Sequence, residues 1–380
     1  MGKMDEKLKK SMMCSTDEKV SCFIFVSNIE LAKKNLPKDI EILSEFNFLN
    51  MLYVSGNIHT IYKISKFECV KFVSSHTQVN ALVNVAKKAI HFQNLKLTGK
   101  GVGVCYIDTG VHTHLDFCFG KNRIIKFVDL INGKEKPYDD NGHGTFVCGV
   151  GSGSGLVSNY KYMGFAPESN IISVKALDGN GEASANKILE AMQWVYNHYK
   201  EYNIKVVCMS FGSEPLGPND PIMKGAEMLW KQGICVVAAA GNSGPEYETI
   251  KSPGVSPKII TVGGLNDNRF DDETFNNNFF EIAKFSSRGP AMKRFKPDLV
   301  APSVDINSCQ NGIKFYTKLS GTSVATPMIA GVCALAYEKN SRLKPDLLKK
   351  FLLQSCTPIT FNKNYEGYGV LNAEKFLRRL

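Results

Sequence analysis

Between residues 101 and 239 the sequence alternates short apolar runs, rich in β-branched residues, with stretches of helical periodicity. The runs are 102–107, 171–176, 206–209 and 234–239; the helical stretches are 143–150, 185–199 and 222–230. A strand that is apolar on both sides must be covered on both sides, and parallel neighbours need crossover helices between them. The expected fold class is therefore α/β, a parallel sheet covered by helices on both faces. Such sheets gather their chemistry at the carboxyl ends of the strands.

With 380 residues there is room for one large core and a smaller unit beside it. Residues 1–19 read as a charged tail. Residues 20–77 then give a strand (22–26), a helix (28–36) stopped by Pro37, two strand-like runs (40–46 and 48–54), a helical piece (58–67) and a last strand (69–73). That β-α-β-β-α-β order is that of a ferredoxin-like α+β unit. Residues 78–92 carry Val79, Leu82, Val83, Ala86, Ala89 and Ile90 at helical spacing and open the main domain, 78–380.

A hydrophobic content of 43% with 22% charged residues belongs to a globular protein. The net charge of +10 comes without a basic run or aromatic-basic alternation, which argues against a nucleic-acid partner. The charged start, Met1 to Lys10, lacks the apolar centre of a signal peptide, and no later stretch reaches membrane-spanning length, so no membrane partner is expected. Eleven cysteines show no metal-like spacing, and Cys105, Cys208 and Cys235 lie inside apolar runs. Buried free thiols fit a reducing compartment, so a cytoplasmic location is expected.

Four stretches carry chemistry. Leu319-Ser320-Gly321-Thr322-Ser323 runs into a segment, Met328 to Ala336, that is apolar all round and must be buried. A serine hydroxyl there feels the positive end of the helix, although serine is equally an ordinary helix cap. Asp108 ends the run 102–107 and is followed by Thr109-Gly110. His143 opens a helix between two glycines, which leave room for a neighbouring backbone or ligand. Asn242 follows the run 236–240; its amide can donate to an oxyanion without adding charge, and it is equally a common turn residue. Serine, histidine and aspartate together supply a nucleophile, a base and an anion that orients the base.

The chain order Asp108, His143, Ser323 is that of subtilisin and differs from chymotrypsin and the α/β-hydrolases. With Asn141-Gly142-His143-Gly144-Thr145, Ala240-Gly241-Asn242-Ser243-Gly244, Phe285-Ser286-Ser287-Arg288-Gly289-Pro290, Lys296-Pro297-Asp298-Leu299-Val300-Ala301-Pro302 and Gly321-Thr322-Ser323-Val324-Ala325-Thr326-Pro327, residues 100–375 resemble the subtilisin-like serine proteases, or subtilases. Pro137-Tyr138-Asp139-Asp140-Asn141-Gly142-His143 most resembles the intracellular members from spore-forming bacteria. Phe146, Cys148 and Val324 depart from common family residues without removing a reacting atom.

The resemblance implies a serine endopeptidase acting on extended peptides or unfolded proteins, with Asp108, His143 and Ser323 as the triad and Asn242 at the oxyanion. It implies that 20–77 is an inhibitory propeptide in a self-processing precursor, cut between about Ser75 and Val79. Ser210, Phe211 and Gly212 resemble the substrate-pairing strand and Gly181 the facing one. Ala239, Ala240, Gly241 and Gly254 resemble the walls of the pocket for the residue before the cut, with Lys251 at its far end and a cis bond at Ser252-Pro253. No cofactor is required; calcium is the one metal left open, since Asp116 matches a family calcium ligand whose partners are not evident. Two rivals use the same residues: a silent scaffold, and an esterase.

Overall fold

The computed structural model describes residues 3, 4, 8, 19–47, 50–75, 85–92, 96–118, 120–268, 280–312 and 314–380. They divide into two units, Met1–Asn80 and Ala81–Leu380, each with its own hydrophobic core.

The first unit comprises β1 (Lys19–Val26), α1 (Ile29–Asn35), β2 (Glu41–Phe46), β3 (Met51–Asn57), α2 (Ile58–Ile64) and β4 (Val70–Ser75). Its sheet has the antiparallel order β2-β3-β1-β4, the ferredoxin-like arrangement. Asn28 and Asn57 cap the two helices by accepting from Leu31 N and His59 N. Ile29, Ala32, Ile58, Ile61 and Ile64 bury against Cys22, Ile24, Leu52, Val54 and Val73. The third strand lies at Met51–Asn57 rather than 48–54, because its pairing with β1 sets Val54 opposite Cys22 and carries the ladder on to Asn57. Within the expected tail, Met4 bridges Val73, and both Met4 and Leu8 are buried in this core. Their apolar side chains at i and i+4 outweigh the charged composition around them.

The second unit holds strands β5 (Gly103–Asp108), β6 (Ile124–Asp129), β7 (Asn170–Lys175), β8 (Ile204–Met209), β9 (Cys235–Ala239), β10 (Ile260–Asn266), β11 (Glu281–Ile282) and β12 (Leu299–Pro302). A hairpin of β13 (Ile306–Cys309) and β14 (Tyr316–Leu319) follows, and β15 (Cys356–Thr357) and β16 (Val370–Leu371) close the series. The helices are α3 (Val85–Ala89), α4 (His143–Ser152), α5 (Ala185–His198), α6 (Pro221–Lys231), α7 (Thr322–Lys339), α8 (Pro345–Leu353) and α9 (Ala373–Arg378), with short turns of helix at Leu115–Cys118 and Lys363–Glu366. Of the helix expected at 78–92, residues 78–84 lie outside the described residues.

The large sheet runs β15-β16-β12-β10-β9-β8-β5-β7-β6 and is parallel from β6 to β16. Helices cover it in two layers, α4 with α7 and α5 with α6. α7 is buried along nearly its whole length and packs against β5, β8, β9, β10 and β12, as its uninterrupted apolar surface requires. The chain leaves β5 for β7 and β6 on one side and later returns to β8 on the other. That reversal opens a crevice at the carboxyl end of β5, where Asp108 stands.

The Lys296-Pro297-Asp298 motif works inside the sheet. Lys296 Nζ donates to Asp298 Oδ2 at 2.7 Å and to Thr261 Oγ1 at 2.8 Å, Thr261 N donates to the same Asp298 oxygen, and Lys349 pairs with Oδ1 at 2.9 Å. This buried cluster joins β10 to β12. Burial lowers the Lys296 ammonium to about 7 despite its partner.

Candidate active site

Asp108 is the last residue of β5, and its side chain is 1% exposed. Its Oδ1 accepts from its neighbour Thr109 N at 2.8 Å and from His143 Nδ1 at 2.7 Å. His143 is the first residue of α4, reached through Gly142 at φ 104°, a left-handed turn that a side chain would strain. Its side chain stays 26% exposed. With Nδ1 donating to Asp108, Nε2 is the nitrogen left to take a proton. Burial pulls the imidazole pKa down, but the charge and hydrogen bond of Asp108, helped by Asp139, raise it above the ordinary value.

Asp139 holds this end together. One oxygen accepts from Thr109 Oγ1 (2.9 Å), Asn141 N and Gly142 N (2.8 Å); the other accepts from Thr145 N (2.8 Å) and Thr145 Oγ1 (2.6 Å). Thr109 Oγ1 in turn accepts from Gly144 N. Burial pushes the Asp139 carboxyl up, but donors from Thr145, Gly142 and Thr109 outweigh it and hold it below the usual range. Lys175, fully buried, donates to Thr109 O and Leu177 O and pairs with Asp140 at 2.7 Å. The sequence carried a signal for Asp139, an aspartate four residues before a histidine flanked by glycines. Nothing in it distinguished Asp139 from Asp140, and Lys175 was hidden inside a strand.

The nucleophile end is built from neutral groups. Asn242 Oδ1 accepts from Thr322 N and Thr322 Oγ1, both at 2.9 Å, which turns its Nδ2 the other way. The Asn242 loop is held by Gly244 N on Phe285 O, Ser287 N on Gly241 O and Ser243 N on Ser287 Oγ. A side chain at Gly321, where φ is 153°, would place its Cβ 3.1 Å from Ser323 Oγ and 3.2 Å from Asn242 Nδ2. The glycine thus keeps open the gap between hydroxyl and amide. Thr322 N–H is taken by Asn242 and Val324 N–H by Gly321 O, while among the described residues no such partner is seen for the Ser323 N–H between them. Among them no hydrogen bond joins Ser323 Oγ to His143.

The residues expected to hold substrate lie on neighbouring edges. Ser210 donates its hydroxyl to Ser323 O at 2.9 Å, so its side chain serves the nucleophile turn. Phe211, Gly212 and Gly181 line a cavity of about 500 Å³ with Leu177, Ile188 and Ile222. Ala239 and Ala240 end the β9 edge, where Lys251 N donates to Ala240 O, and Gly254 packs against Ala239. Lys251 passes its stem beneath Gly212 and Gly241. Its ammonium pairs with Glu214, which is 79% exposed while Lys251 is 17% exposed. That partner was not foreseen, and it means the lysine is not a bare charge. The Ser252-Pro253 bond is cis, as expected.

Asp116 does not fit the calcium reading. Its carboxylate is met by an amide N–H, two hydroxyls and a thiol. Calcium takes six to eight oxygens with lone pairs turned toward it.

The subtilase family matches residues 99–370. Serine protease AprX of Bacillus subtilis (strain 168) is 38% identical over 89% of this chain and 81% of its own length. M-protease of Shouchella clausii (strain KSM-K16) is 28% identical over 98% of this chain and 93% of its own. Among solved structures, a cold-adapted subtilisin-like serine proteinase superposes with a TM-score of 0.58 at 27% identity, covering 73% of this chain and 91% of that one. The S41 psychrophilic protease gives 0.64 at 26%, covering 75% and 96%. A buried carboxylate on a helix-opening histidine, and a serine and an amide set about one glycine, sit on a fold and sequence of the same kind: the chain belongs to the subtilase family of serine proteases.

Proposed function

We propose that the serine endopeptidase activity of this subtilase runs through Ser323, His143, Asp108 and Asn242. Ser323 Oγ attacks the peptide carbonyl while His143 Nε2 takes its proton. Asp108 holds the imidazole in the required tautomer and stabilises the imidazolium. The new oxyanion lies in the gap at Gly321, between Asn242 Nδ2 and the Ser323 N–H. His143 then gives its proton to the leaving amine, and water repeats the sequence on the acyl-enzyme. The observation that carries the reading is the glycine at 321, where an added Cβ would stand 3.1 Å from the Ser323 hydroxyl and 3.2 Å from the Asn242 amide nitrogen, so that the two groups flank one space.

The substrate reading is an extended peptide paired along residues 210–212 and 181, with the 500 Å³ cavity taking one of its apolar side chains. Residues 20–77 are read as the propeptide. Their support is a ferredoxin-like unit whose other sheet face carries aromatic groups, including Phe23 tilted against Tyr53 with ring centroids 4.7 Å apart and Phe72, 40% exposed. The cut expected between about Ser75 and Val79 falls almost wholly outside the described residues. A reducing, cytoplasmic setting is supported by free thiols such as the buried Cys105, Cys208 and Cys235.

Titration with a fluorophosphonate tests the assignment. Wild type should label to one equivalent and shorten on storage, whereas Ser323→Ala should neither label nor shorten. Labelling that persists in the variant removes Ser323 from the mechanism. Full-length active wild type removes the processing step, and ester turnover without peptide turnover moves the reading to an esterase.

A further inference from the structure

Asp116 follows Asp108 by eight residues, on the short helix Leu115–Cys118, and is 1% exposed. Its Oδ1 accepts from Val157 N at 3.1 Å and, more weakly, from Ser154 Oγ at 3.4 Å. Its Oδ2 accepts from Tyr316 Oη at 2.7 Å and from the Cys309 thiol at 3.6 Å. Those donors come from two other parts of the chain. Ser154 and Val157 follow directly on α4, the helix that His143 opens. Cys309 and Tyr316 lie on the β13-β14 hairpin, which leads into Gly321 and Ser323. One buried carboxylate therefore joins the segments that continue from Asp108, from His143 and into Ser323.

Neighbouring groups hold the carboxylate in place. Asp116 N donates to His114 Nδ1 at 3.1 Å, and His114 Nε2 meets Phe315 O at 2.8 Å. A carbonyl only accepts, so Nε2 carries the hydrogen and the ring is neutral, in line with burial lowering its pKa. Arg123 donates to the Asp116 carbonyl. His114, Asp116 and Cys309 do bring three potential ligand atoms within 4.8 Å of one another. Both imidazole nitrogens are already engaged, however, and burial pushes the Cys309 thiol and the Tyr316 phenol up, so both keep the protons they donate.

We propose that Asp116 with Tyr316 forms a cation-free clamp that positions the base and nucleophile segments, in the place where relatives would use calcium. Asp116 and Tyr316 are positioning residues, since neither reaches the gap at Gly321. The activity arm of the test rests on the triad reading above; the stability and metal arms do not.

The test compares the full chain as wild type, Tyr316→Phe and Asp116→Asn by thermal melting in EDTA and in CaCl2, by kcat and KM, and by Tb3+ luminescence excited through tyrosine. Any calcium-induced rise in the wild-type melting temperature should be shared in full by Asp116→Asn. Tyr316→Phe, which keeps the ring and removes one donor, should melt lower, and calcium should not restore it. Its kcat should fall about tenfold with KM unchanged, the effect of a displaced catalytic group rather than a lost binding contact. A calcium-induced rise of the same size in wild type and Asp116→Asn places the ion elsewhere and leaves the clamp standing. A rise that vanishes in Asp116→Asn overturns it. Should Asp116→Asn fail to fold, Tb3+ emission present in wild type and abolished by Tyr316→Phe overturns it as well. So does a Tyr316→Phe protein with wild-type melting and kcat. If Ser323→Ala keeps activity while Tyr316→Phe still melts lower, the triad reading fails and the clamp does not.

Discussion

The two ends of the active site are held by different kinds of force. At the acid-base end, Asp108, His143, Asp139, Asp140 and Lys175 form a set of charged and charge-assisted contacts of 2.6 to 3.1 Å, most of them buried. At the nucleophile end, Asn242, Thr322 and Ser210 make only neutral hydrogen bonds, and the decisive element is the backbone of Gly321. The difference follows from the charge each end must carry. In the proposed mechanism an imidazolium forms at one end, where the anions already in place would stabilise it. In the same mechanism an oxyanion forms at the other, where a fixed negative charge would oppose it and neutral donors serve best.

The most direct way to break this comparison is to put charge where neutrality is needed. Asn242→Asp keeps an acceptor for Thr322 but replaces the Nδ2 donor with an anion. Its kcat should fall by about 10²–10³ or more, the scale that loss of this donor costs in subtilisin itself, with KM little changed. A kcat within tenfold of wild type would remove Asn242 from the oxyanion.

Gly321→Ala strikes the same end through the backbone alone. A φ of 153° is open almost only to glycine, and the added methyl would crowd Ser323 Oγ and Asn242 Nδ2. Strain of about 1–3 kcal/mol should lower kcat about 10- to 100-fold. The fold should persist in circular dichroism, and an equal loss in KM would mean that the gap binds substrate.

At the charged end, Asp139→Asn should lower kcat about tenfold and also move the pH profile. Because His143 is raised above its ordinary value, the acid limb of wild-type kcat/KM should lie above about 6.5, with activity lost as pH falls through it. Removing the Asp139 charge should move that limb to lower pH. For stability the sign is opposite to that of a raised group. Asp139 is held below its unfolded value of about 3.9, so its contribution is full above that pH and fades as pH falls through the lower folded value. Thermal melting across pH 2 to 6 should show that acid loss in wild type and a flatter curve in Asp139→Asn.

The smallest effect is expected at Lys251. Its ammonium already pairs with an exposed Glu214, a contact that solvent weakens. Lys251→Ser should reduce the rate for Glu relative to Leu before the cut several-fold, a preference of about 1 kcal/mol. A peptide library that shows no change would mean the Lys251 stem shapes the pocket and its charge reads nothing.

These contrasts also mark what could be read from the chain. Asp108, His143, Asn242 and Ser323 were legible because each pairs a reactive side chain with a glycine-rich turn and a buried run, features that are local in sequence. The alternation of apolar runs conveyed the parallel sheet, but β6, with exposed Ile125 and half-buried Lys126, and the short β12 were too polar or too brief to stand out. Groups that act at a distance were not legible. Lys175 meets Asp140 from 35 residues away, Thr322 meets Asn242 from 80 and Tyr316 meets Asp116 from 200. No periodicity or spacing records such partners, since only the folded sheet brings them together.

α7 carries Ser323, the proposed nucleophile, in its first turn and packs on strands that span residues 103 to 302. During synthesis this helix leaves the ribosome only after nearly all the strands it needs have been made. Its contacts are long-range, so they form late in folding. On the proposed assignment, a chain that has not yet packed α7 lacks the nucleophile at its place beside Asn242. Hydrolysis by this route would require the strands under α7 to be in place, so activity would report on the packing of the unit around that helix.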